Sequence, residues 1–257
     1  MDALKTVLIQ PDTRWADRGA NREHLSSLMD RADSADLFIL PETCTTGFLG
    51  DLSPDAEREQ GAADVDWVIA ESKRRGSAVV AGIAVVEGGQ RFNRLVFATP
   101  DGRTTHYDKR HLFGYGGEGD RYSAGDRRVR VGWRGWRFDL QICYDLRFPV
   151  WCRNDDAFDV QLFPANWPSP RVEAWRTLLK ARAIENQAVV IGVNRCGTDG
   201  KGVEYPGSSR AFDALGAPLL ELGDAEEVSG FVLDPASVRT VRERFPFLAD
   251  RDGFRVE

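Results

Sequence analysis

The chain has 257 residues, enough for one large domain or two small ones, and 42% of them are hydrophobic, which suffices for a sizeable core. Its formal net charge of −6 comes from acidic and basic residues mixed along the chain, which argues against a nucleic-acid groove or a polybasic membrane anchor. No apolar run reaches the roughly 18 residues of a membrane helix, and the first residues lack the features of a signal peptide. We therefore expect a cytoplasmic protein with a small-molecule partner, no nucleic acid and no membrane.

The cysteines are scattered through the chain and form no CxxC pair; they are Cys44, Cys143, Cys152 and Cys196. This spacing is typical of reduced thiols and not of a disulfide scaffold or a zinc site. The sequence therefore predicts no metal centre, and each thiol is judged by its surroundings.

The first half of the chain predicts a β-α-β opening followed by a β meander. Strands are expected at 6–10 and 36–40, and the apolar residues of 20–32, between them, recur at helical spacing. A second helix is expected at 63–75. Gly, Pro or Asp residues bound three further predicted strands, at 77–86, 91–100 and 105–109.

The second half predicts another alternation of strands and helices. The expected elements are a strand at 136–143, a short helix at 147–153, a strand at 159–166, a helix at 172–187 and a strand at 188–194. A hairpin around Leu215 and Gly216 and a strand near 230–233 close the chain. This order predicts an α/β fold with mixed sheets and outer helices. Because no linker or repeat divides the sequence, residues 1–257 are expected to form one domain.

Cys143 ends a predicted strand, and Asp139 and Gln141 share its face. The sequence DLRFP forces a turn after it, and a helix beginning at Arg147 would favour a thiolate nearby. A nucleophile also needs a proton acceptor and a positive group for the oxyanion that it creates. On local sequence alone, an inert core thiol remains the alternative.

Two charged residues that follow other predicted strands are candidates for those roles. Glu42 comes after an apolar strand, where burial would raise its pKa toward that of a general base. Lys109 ends another strand and is conspicuous because only five of the 34 basic residues are lysines; its ammonium suits an oxyanion. A capping or surface Glu and an exposed Lys at a turn are the alternatives. Cys44 is the rival thiol, but it shares its strand parity with Glu42, which makes proton transfer between them awkward.

Residues 114–119 satisfy the pattern GxGxxG of dinucleotide-binding loops. They neither follow the first strand nor open a long helix, so an NAD site is rejected. The glycines instead allow the backbone to approach a pocket and bring Glu118 into it. His111 is a candidate pocket residue beside Lys109, although a structural histidine is the favoured interpretation.

Three motifs in chain order resemble those of the nitrilase superfamily of carbon-nitrogen hydrolases: LPETCTTGF with Glu42, YDKRHLF with Lys109 and ICYDLRFP with Cys143. The segment LKARAIENQAVVIGVNRCG resembles the helix and strand that follow the nucleophile, so the resemblance covers nearly the whole chain. It implies a four-layer α-β-β-α sandwich. It also implies that Glu42 is the base, Lys109 the oxyanion stabiliser and Cys143 the nucleophile. Glu118 matches the family's additional glutamate, which orients the substrate or supports the lysine.

Within the superfamily, YDKRHLF, CYDLRFPVW, PANWPSPR and ARAIENQ are most similar to the bacterial ω-amidases, which hydrolyse the terminal amide of 2-oxoglutaramate and 2-oxosuccinamate. The resemblance implies ammonia and a dicarboxylic 2-oxo acid as products, no cofactor, and a homodimer. The alternatives are an amidase for deaminated glutathione, an N-carbamoyl amidohydrolase, or a non-enzymatic interaction subunit that keeps the fold.

The expected mechanism begins when Glu42 takes the proton of Cys143 and the thiolate attacks the amide carbonyl. Lys109 and the backbone N–H of Tyr144 are expected to hold the oxyanion. An acyl thioester then forms and is hydrolysed by water that Glu42 activates.

Arg171 is the candidate that recognises the substrate carboxylate. Arg147 competes for this role, but it is expected instead to pair with Asp145 or with an active-site carboxylate. The other residues expected around the substrate are Phe48, Tyr115, Asn166 and Trp167.

Overall fold

The computed structural model describes residues 1–49, 54–155 and 158–255, without the side chains of residues 54–60. The strands in this part of the chain are β1 (Leu4–Gln10), β2 (Leu37–Ile39), β3 (Ala78–Glu87), β4 (Gln90–Ala98), β5 (Thr104–Asp108), β6 (Val129–Trp133), β7 (Trp136–Leu140), β8 (Val160–Ala165), β9 (Val189–Asn194), β10 (Cys196–Thr198), β11 (Glu204–Pro206), β12 (Arg210–Phe212), β13 (Pro218–Glu221) and β14 (Glu227–Leu233). The α-helices are α1 (Arg18–Asp30), α2 (Pro54–Arg75), α3 (Val172–Asn186) and α4 (Ala236–Arg244).

Most of the strands form two six-stranded mixed sheets. The first sheet has the order β14-β1-β2-β3-β4-β5, and the second has the order β13-β12-β9-β8-β7-β6. In each sheet the central strands are parallel and the outer strands are antiparallel. The remaining two strands, β10 and β11, form a separate antiparallel hairpin that follows β9.

The first sheet is apolar on both faces because its strands are covered on both sides. Leu4 and Leu8 of β1 belong to the core shared with the second sheet, whereas Val7 and Ile9 belong to the core beneath α1 and α2. Alternate residues of a strand point to opposite faces, so a strand buried on both faces has an almost continuous apolar sequence. The same two-sided burial continues through β2 and β3.

The second sheet faces the first across an aromatic contact and carries α3 on its outer side. Phe97 of β4 and Phe138 of β7 have ring centroids 5.4 Å apart. On the outer side, Gly192 of β9 lets α3 pack closely, because a Cβ there would lie 2.5 Å from Leu179. The layers therefore run α-β-β-α, which confirms the predicted sandwich.

Most predicted elements are present, but the helix expected at 147–153 is wrong. A short 3-10 helix, Cys143–Arg147, takes its place directly after the strand. Phe148 precedes Pro149 and has φ −113° and ψ 86°, because the proline ring disfavours helical backbone in the residue before it. The helix therefore starts at the cysteine and ends before the proline. The strand β6, the hairpin β10-β11 and helix α4 have no counterpart among the predictions.

Gly82 of β3 lets the turn that carries Glu42 lie against the sheet. A Cβ at this position would lie 2.5 Å from Glu42 Cα and 2.8 Å from both Pro41 O and Thr43 N. Two backbone hydrogen bonds fix the approach: Gly82 N–H donates to Pro41 O, and Cys44 N–H donates to Gly82 O. Only a residue without a side chain can occupy this place.

We expect Gly82→Ala to lower the free energy of unfolding by about 1–3 kcal/mol, because the new methyl group must displace backbone and not a flexible side chain. Gly132→Ala in β6 is the matched control, since a Cβ there meets no atom within 4 Å. Urea unfolding of the two variants measures the difference. An equal free energy of unfolding for the two variants would show that the turn at Glu42 can shift to accommodate a methyl group without loss of stability.

Candidate active site

Four of the residues predicted to form the site lie close together, although they follow strands of two different sheets. Glu42 and Lys109 follow β2 and β5 of the first sheet, whereas Cys143 and Asn166 follow β7 and β8 of the second. All four line a cavity of about 340 Å³. Glu42 and Lys109 are fully buried, and Cys143 is 8% exposed.

The carboxylate of Glu42 is held by donors at both oxygens. Its Oε1 accepts from Lys109 Nζ and from Asn93 Nδ2, each at 2.7 Å. Its Oε2 accepts from the backbone N–H of Asn166 at 2.8 Å. Burial by itself would raise the pKa of Glu42, but Lys109 and these hydrogen bonds lower it below the ordinary value. The expectation of a raised pKa is therefore wrong, because burial is outweighed by a full set of donors.

Lys109 lies between two buried carboxylates. Besides Glu42, its Nζ donates to Glu118 Oε2 at 2.9 Å and to Glu118 Oε1 at 3.2 Å. Burial would lower the pKa of Lys109, but the charges of Glu118 and Glu42 raise it well above the ordinary value. Glu118 is fixed in turn by the backbone N–H of Phe113, 2.6 Å from its Oε2. The ammonium therefore stays charged in the folded protein.

Cys143 begins the 3-10 helix with a φ of +43°. This left-handed backbone is uncommon outside glycine and needs support from its surroundings. Asp145 supplies it: its Oδ2 accepts from Ile142 N at 3.0 Å and from Tyr107 Oη at 2.8 Å. His111 holds the other oxygen through its backbone N–H at 3.0 Å and its ring Nδ1 at 2.8 Å. His111 is thus a structural partner of the turn.

The thiol of Cys143 is neutral at rest. Burial raises its pKa, the charge of Glu42 raises it further, and Lys109 opposes both without reversing the direction. The expected stabilisation of a thiolate by a helix beginning at Arg147 is therefore absent. Instead, Cys143 lines the same cavity as the Glu42 carboxylate, whose charge acts on the thiol.

The rival thiol, Cys44, lies away from this arrangement. It is buried in the apolar cluster beneath α1 and α2, where burial raises its pKa. A buried thiol in apolar surroundings is inert, so the structure separates the two cysteines by environment.

The cavity is lined by every residue expected around the substrate, and the structure refines their places. Phe48 is partly buried, with its ring 5.7 Å from Lys109 Nζ, and Trp167 is 2% exposed. Tyr115 is 92% exposed and lies at the rim, so it is not an inner wall. Tyr144 also lines the cavity, and its backbone N–H lies in the first turn of the 3-10 helix, where N–H groups have no acceptor within the helix.

Two arginines add positive charge to the cavity. The guanidinium of Arg171 lies 5.1 Å from the centre of the Phe113 ring, and that of Arg147 lies 5.0 Å from a ring centre of Trp167. Within the described residues neither has a carboxylate partner. The expected pairing of Arg147 with Asp145 is wrong, because that carboxylate is already occupied by other donors.

Several residues of the site were missed from the sequence. Asn93 donates to both buried carboxylates. The sequence pattern that could have identified it is a polar residue on the same strand face as Leu95 and Phe97, which point into the core. The hairpin β10-β11 adds further lining residues, and no sequence pattern predicts that this hairpin meets the cavity. They are Asp199, Lys201, Val203 and Tyr205.

The described residues contain no cluster of three or more His, Cys, Asp or Glu side chains that could hold a metal ion. None of the helices in the same part of the chain combines the length and the apolar character needed to cross a membrane.

The arrangement can carry out addition of a thiol to a carbonyl group. A carboxylate can accept the proton of the thiol, the ammonium beside it can stabilise negative charge, and all three groups are buried. These are the parts that acyl transfer through a covalent intermediate requires.

Comparisons with known proteins agree with this chemistry. Residues 5–243 match the carbon-nitrogen hydrolase family, and the chain belongs to that family. It is 42% identical to the ω-amidase YafV of Yersinia enterocolitica over 99% of both chains, and 35% identical to the 2-oxoglutaramate amidase of Bacillus subtilis over 84% of this chain and 85% of that one. The fold matches XC1258 of Xanthomonas campestris, a CN-hydrolase superfamily protein with an arsenic adduct in its active site, with a TM-score of 0.95, 44% identity and full coverage of both chains. The predicted membership of the nitrilase superfamily and the hydrolase class are thereby confirmed.

We expect Lys109→Met to reverse the pH dependence that Glu42 gives to stability. In the wild type the lowered pKa stabilises the fold above the ordinary Glu pKa, and this contribution is lost as the pH falls through the lowered pKa. Without the ammonium, burial raises the pKa of Glu42, so the contribution is present at low pH and is lost as the pH rises through the raised pKa. The loss of stability should reach about 3–5 kcal/mol near neutral pH.

Urea unfolding at about pH 5 and about pH 8 measures this reversal. Lys201→Met is the matched control, because this lysine also lines the cavity but its ammonium faces the ring of Trp15. If Lys109→Met lost no more stability at the higher pH than at the lower one, Lys109 would not be what keeps Glu42 ionised.

Proposed function

We propose that the protein is an ω-amidase that hydrolyses the terminal amide of a 2-oxo dicarboxylic acid monoamide, such as 2-oxoglutaramate or 2-oxosuccinamate, to the 2-oxo acid and ammonia. The observation that carries the proposal is one cavity lined by a thiol, a carboxylate and an ammonium, together with two arginines that have no carboxylate partner in the described part of the chain. The printed activities of the YafV and Bacillus subtilis relatives support the same substrate class.

The first half of the reaction forms an acyl thioester. Glu42 takes the proton of Cys143 as the sulfur bonds to the amide carbon, and the carbonyl oxygen becomes an oxyanion. Lys109 Nζ and the backbone N–H of Tyr144 hold that oxygen. The intermediate collapses, the carbon-nitrogen bond breaks, and Glu42 returns the proton to the leaving nitrogen, which departs as ammonia.

The second half restores the thiol. Water enters the place that ammonia has left, Glu42 removes its proton, and the hydroxide attacks the thioester carbon. Collapse of this second tetrahedral intermediate releases the carboxylic acid, and the sulfur recovers its proton from Glu42. One carboxylate therefore serves both halves, which requires that its orientation be fixed.

Glu118 supports Lys109 in this scheme. It is fully buried, bonds the ammonium through both oxygens and is absent from the cavity lining among the described residues. Of the two roles expected for the family's additional glutamate, support of the lysine fits this position, because a group outside the cavity has no contact with substrate.

Arg171 recognises the substrate carboxylate, and Arg147, which also lines the cavity, is its competitor. Both guanidinium groups lie over aromatic rings of the cavity, so each presents donors above an apolar surface. Lys201 of the hairpin adds a third cation. These three cations attract the carboxylate of the substrate, and the amide end of the substrate reaches Cys143.

We expect Cys143→Ala to abolish ammonia release from 2-oxoglutaramate, because the covalent route needs the sulfur. Glu42→Gln should lower turnover by roughly 10²–10⁴-fold, the usual contribution of a general base. The wild type is assayed beside glutamine, deaminated glutathione, an N-carbamoyl amino acid and a simple nitrile. Release from another compound alone would discard the substrate, and turnover by Cys143→Ala close to that of the wild type would discard the mechanism.

We expect Arg171→Ala to raise KM for 2-oxoglutaramate by roughly 10- to 100-fold, the effect of losing a hydrogen bond to a charged group. The KM for a neutral amide of similar length should not change. Arg176→Ala is the matched control: Arg176 lies on α3 and pairs with Glu173 outside the cavity. An unchanged KM in Arg171→Ala with a raised KM in Arg147→Ala would transfer the role to Arg147.

Three expectations from the sequence stay predictions. They are the homodimer, the cytoplasmic location and the organisation of residues 1–257 as one domain. The resemblance to the superfamily supports the homodimer, and the absence of a linker in the sequence supports the single domain.

A further inference from the structure

Asn93 occupies the middle of β4, behind the residues that face the cavity. It is 1% exposed and shares its strand face with Leu95 and Phe97 of the core between the sheets. A buried amide among apolar neighbours is unfavourable unless its hydrogens find acceptors. The backbone carbonyl of Asn93 accepts from the backbone N–H of Lys109 at 2.9 Å, which connects β4 to the residue that carries the ammonium.

The amide nitrogen of Asn93 joins the two carboxylates of the site. It donates to Glu42 Oε1 at 2.7 Å and to Glu118 Oε1 at 2.7 Å. Lys109 Nζ donates to the same two oxygens, at 2.7 Å and 3.2 Å. Two donors thus bridge two acceptors in a closed ring, and both amide hydrogens are used.

We propose that Asn93 is a positioning residue that fixes Glu42 Oε1, so that Oε2, which accepts from the backbone and side-chain N–H groups of Asn166, is the oxygen that exchanges protons with Cys143. This inference rests on the proposed role of Glu42 as the base. Because Asn93 and Lys109 both engage Oε1, the carboxylate cannot rotate without breaking two charge-assisted hydrogen bonds. Against the raising effect of burial, the bond from Asn93 also joins Lys109 in lowering the pKa of Glu42.

Asparagine suits this task better than other side chains of similar size. An aspartate would place a third carboxylate beside two others, and an apolar side chain would leave Lys109 as the only donor to Glu42 Oε1 and Glu118 Oε1 among the described residues. An asparagine donates at every pH and adds no net charge. It therefore holds the two carboxylates together without changing the charge of the cluster.

The test is the pH profile of kcat/KM for 2-oxoglutaramate in Asn93→Ala and Asn93→Asp. In the wild type the acidic limb should lie below pH 4.5, the ordinary Glu value, because the pKa of Glu42 is lowered. In Asn93→Ala we expect the limb to move up by about one pH unit and kcat to fall by roughly 10- to 100-fold. KM should change little, because Asn93 is absent from the cavity lining.

Asn93→Asp separates positioning from packing. It keeps the size of the side chain, so if Asn93 acted through packing alone, kcat would fall less in Asn93→Asp than in Asn93→Ala. If Asn93 positions Glu42, kcat should fall more in Asn93→Asp and the acidic limb should lie at higher pH, because the donor is lost and a negative charge is added. If Asn93→Asp fails to fold, Asn93→Ser, which keeps one donor, should lie between the wild type and Asn93→Ala in both kcat and limb position.

Asn154→Ala is the matched control. Asn154 is also fully buried, and its amide donates two hydrogen bonds, to Phe158 O and Asn186 O outside the cavity. It should lose stability and keep the wild-type limb. Suppose that the acidic limb keeps its wild-type position in all Asn93 variants while Cys143→Ala and Glu42→Gln stay impaired. The inference about Asn93 would then be overturned, and the proposed function would stand. Wild-type turnover by those two variants would instead overturn the proposed function itself.

Discussion

The ammonium of Lys109 between the carboxylates of Glu42 and Glu118 is the interaction on which the site depends. All three groups are fully buried, and burying a charge is costly unless it is paired and hydrogen-bonded. One positive and two negative charges leave a net negative charge in the interior. The neutral donors of Asn93, Asn166 and the Phe113 backbone are therefore required to satisfy the remaining lone pairs.

In the proposed reaction, this charge balance explains how a neutral thiol becomes a nucleophile when a substrate is present. The lowered pKa of Glu42 and the raised pKa of Cys143 keep the proton on the sulfur at rest. A neutral thiol is much less reactive than a thiolate, so the resting site resists unwanted chemistry. A carbonyl bound beside Lys109 offers the negative charge a stabilised place on oxygen, and proton transfer to Glu42 then becomes favourable.

The backbone around the site is shaped to present these groups. Gly82 allows the Glu42 turn to lie on β3, and the network of Asp145 holds Cys143 in its left-handed conformation. Strained backbone persists where surrounding contacts determine it. Here the contacts of the Cys143 turn come from Tyr107 of β5 and from His111 after it, so residues of the first sheet hold the turn that carries Cys143.

The sequence by itself determined the order of most strands and helices and the positions of Glu42, Lys109 and Cys143, because these depend on local periodicity and on motifs at strand ends. The sandwich followed from the resemblance of those motifs to the nitrilase superfamily. Only the tertiary structure decided the direction of each pKa shift, since burial and partner charges act in opposition and their balance depends on distance. It likewise decided the 3-10 helix at Cys143, the contacts of Asn93 with both carboxylates and the approach of the hairpin β10-β11 to the cavity. These depend on contacts between segments that are far apart in the chain, and no local pattern of residues records such contacts.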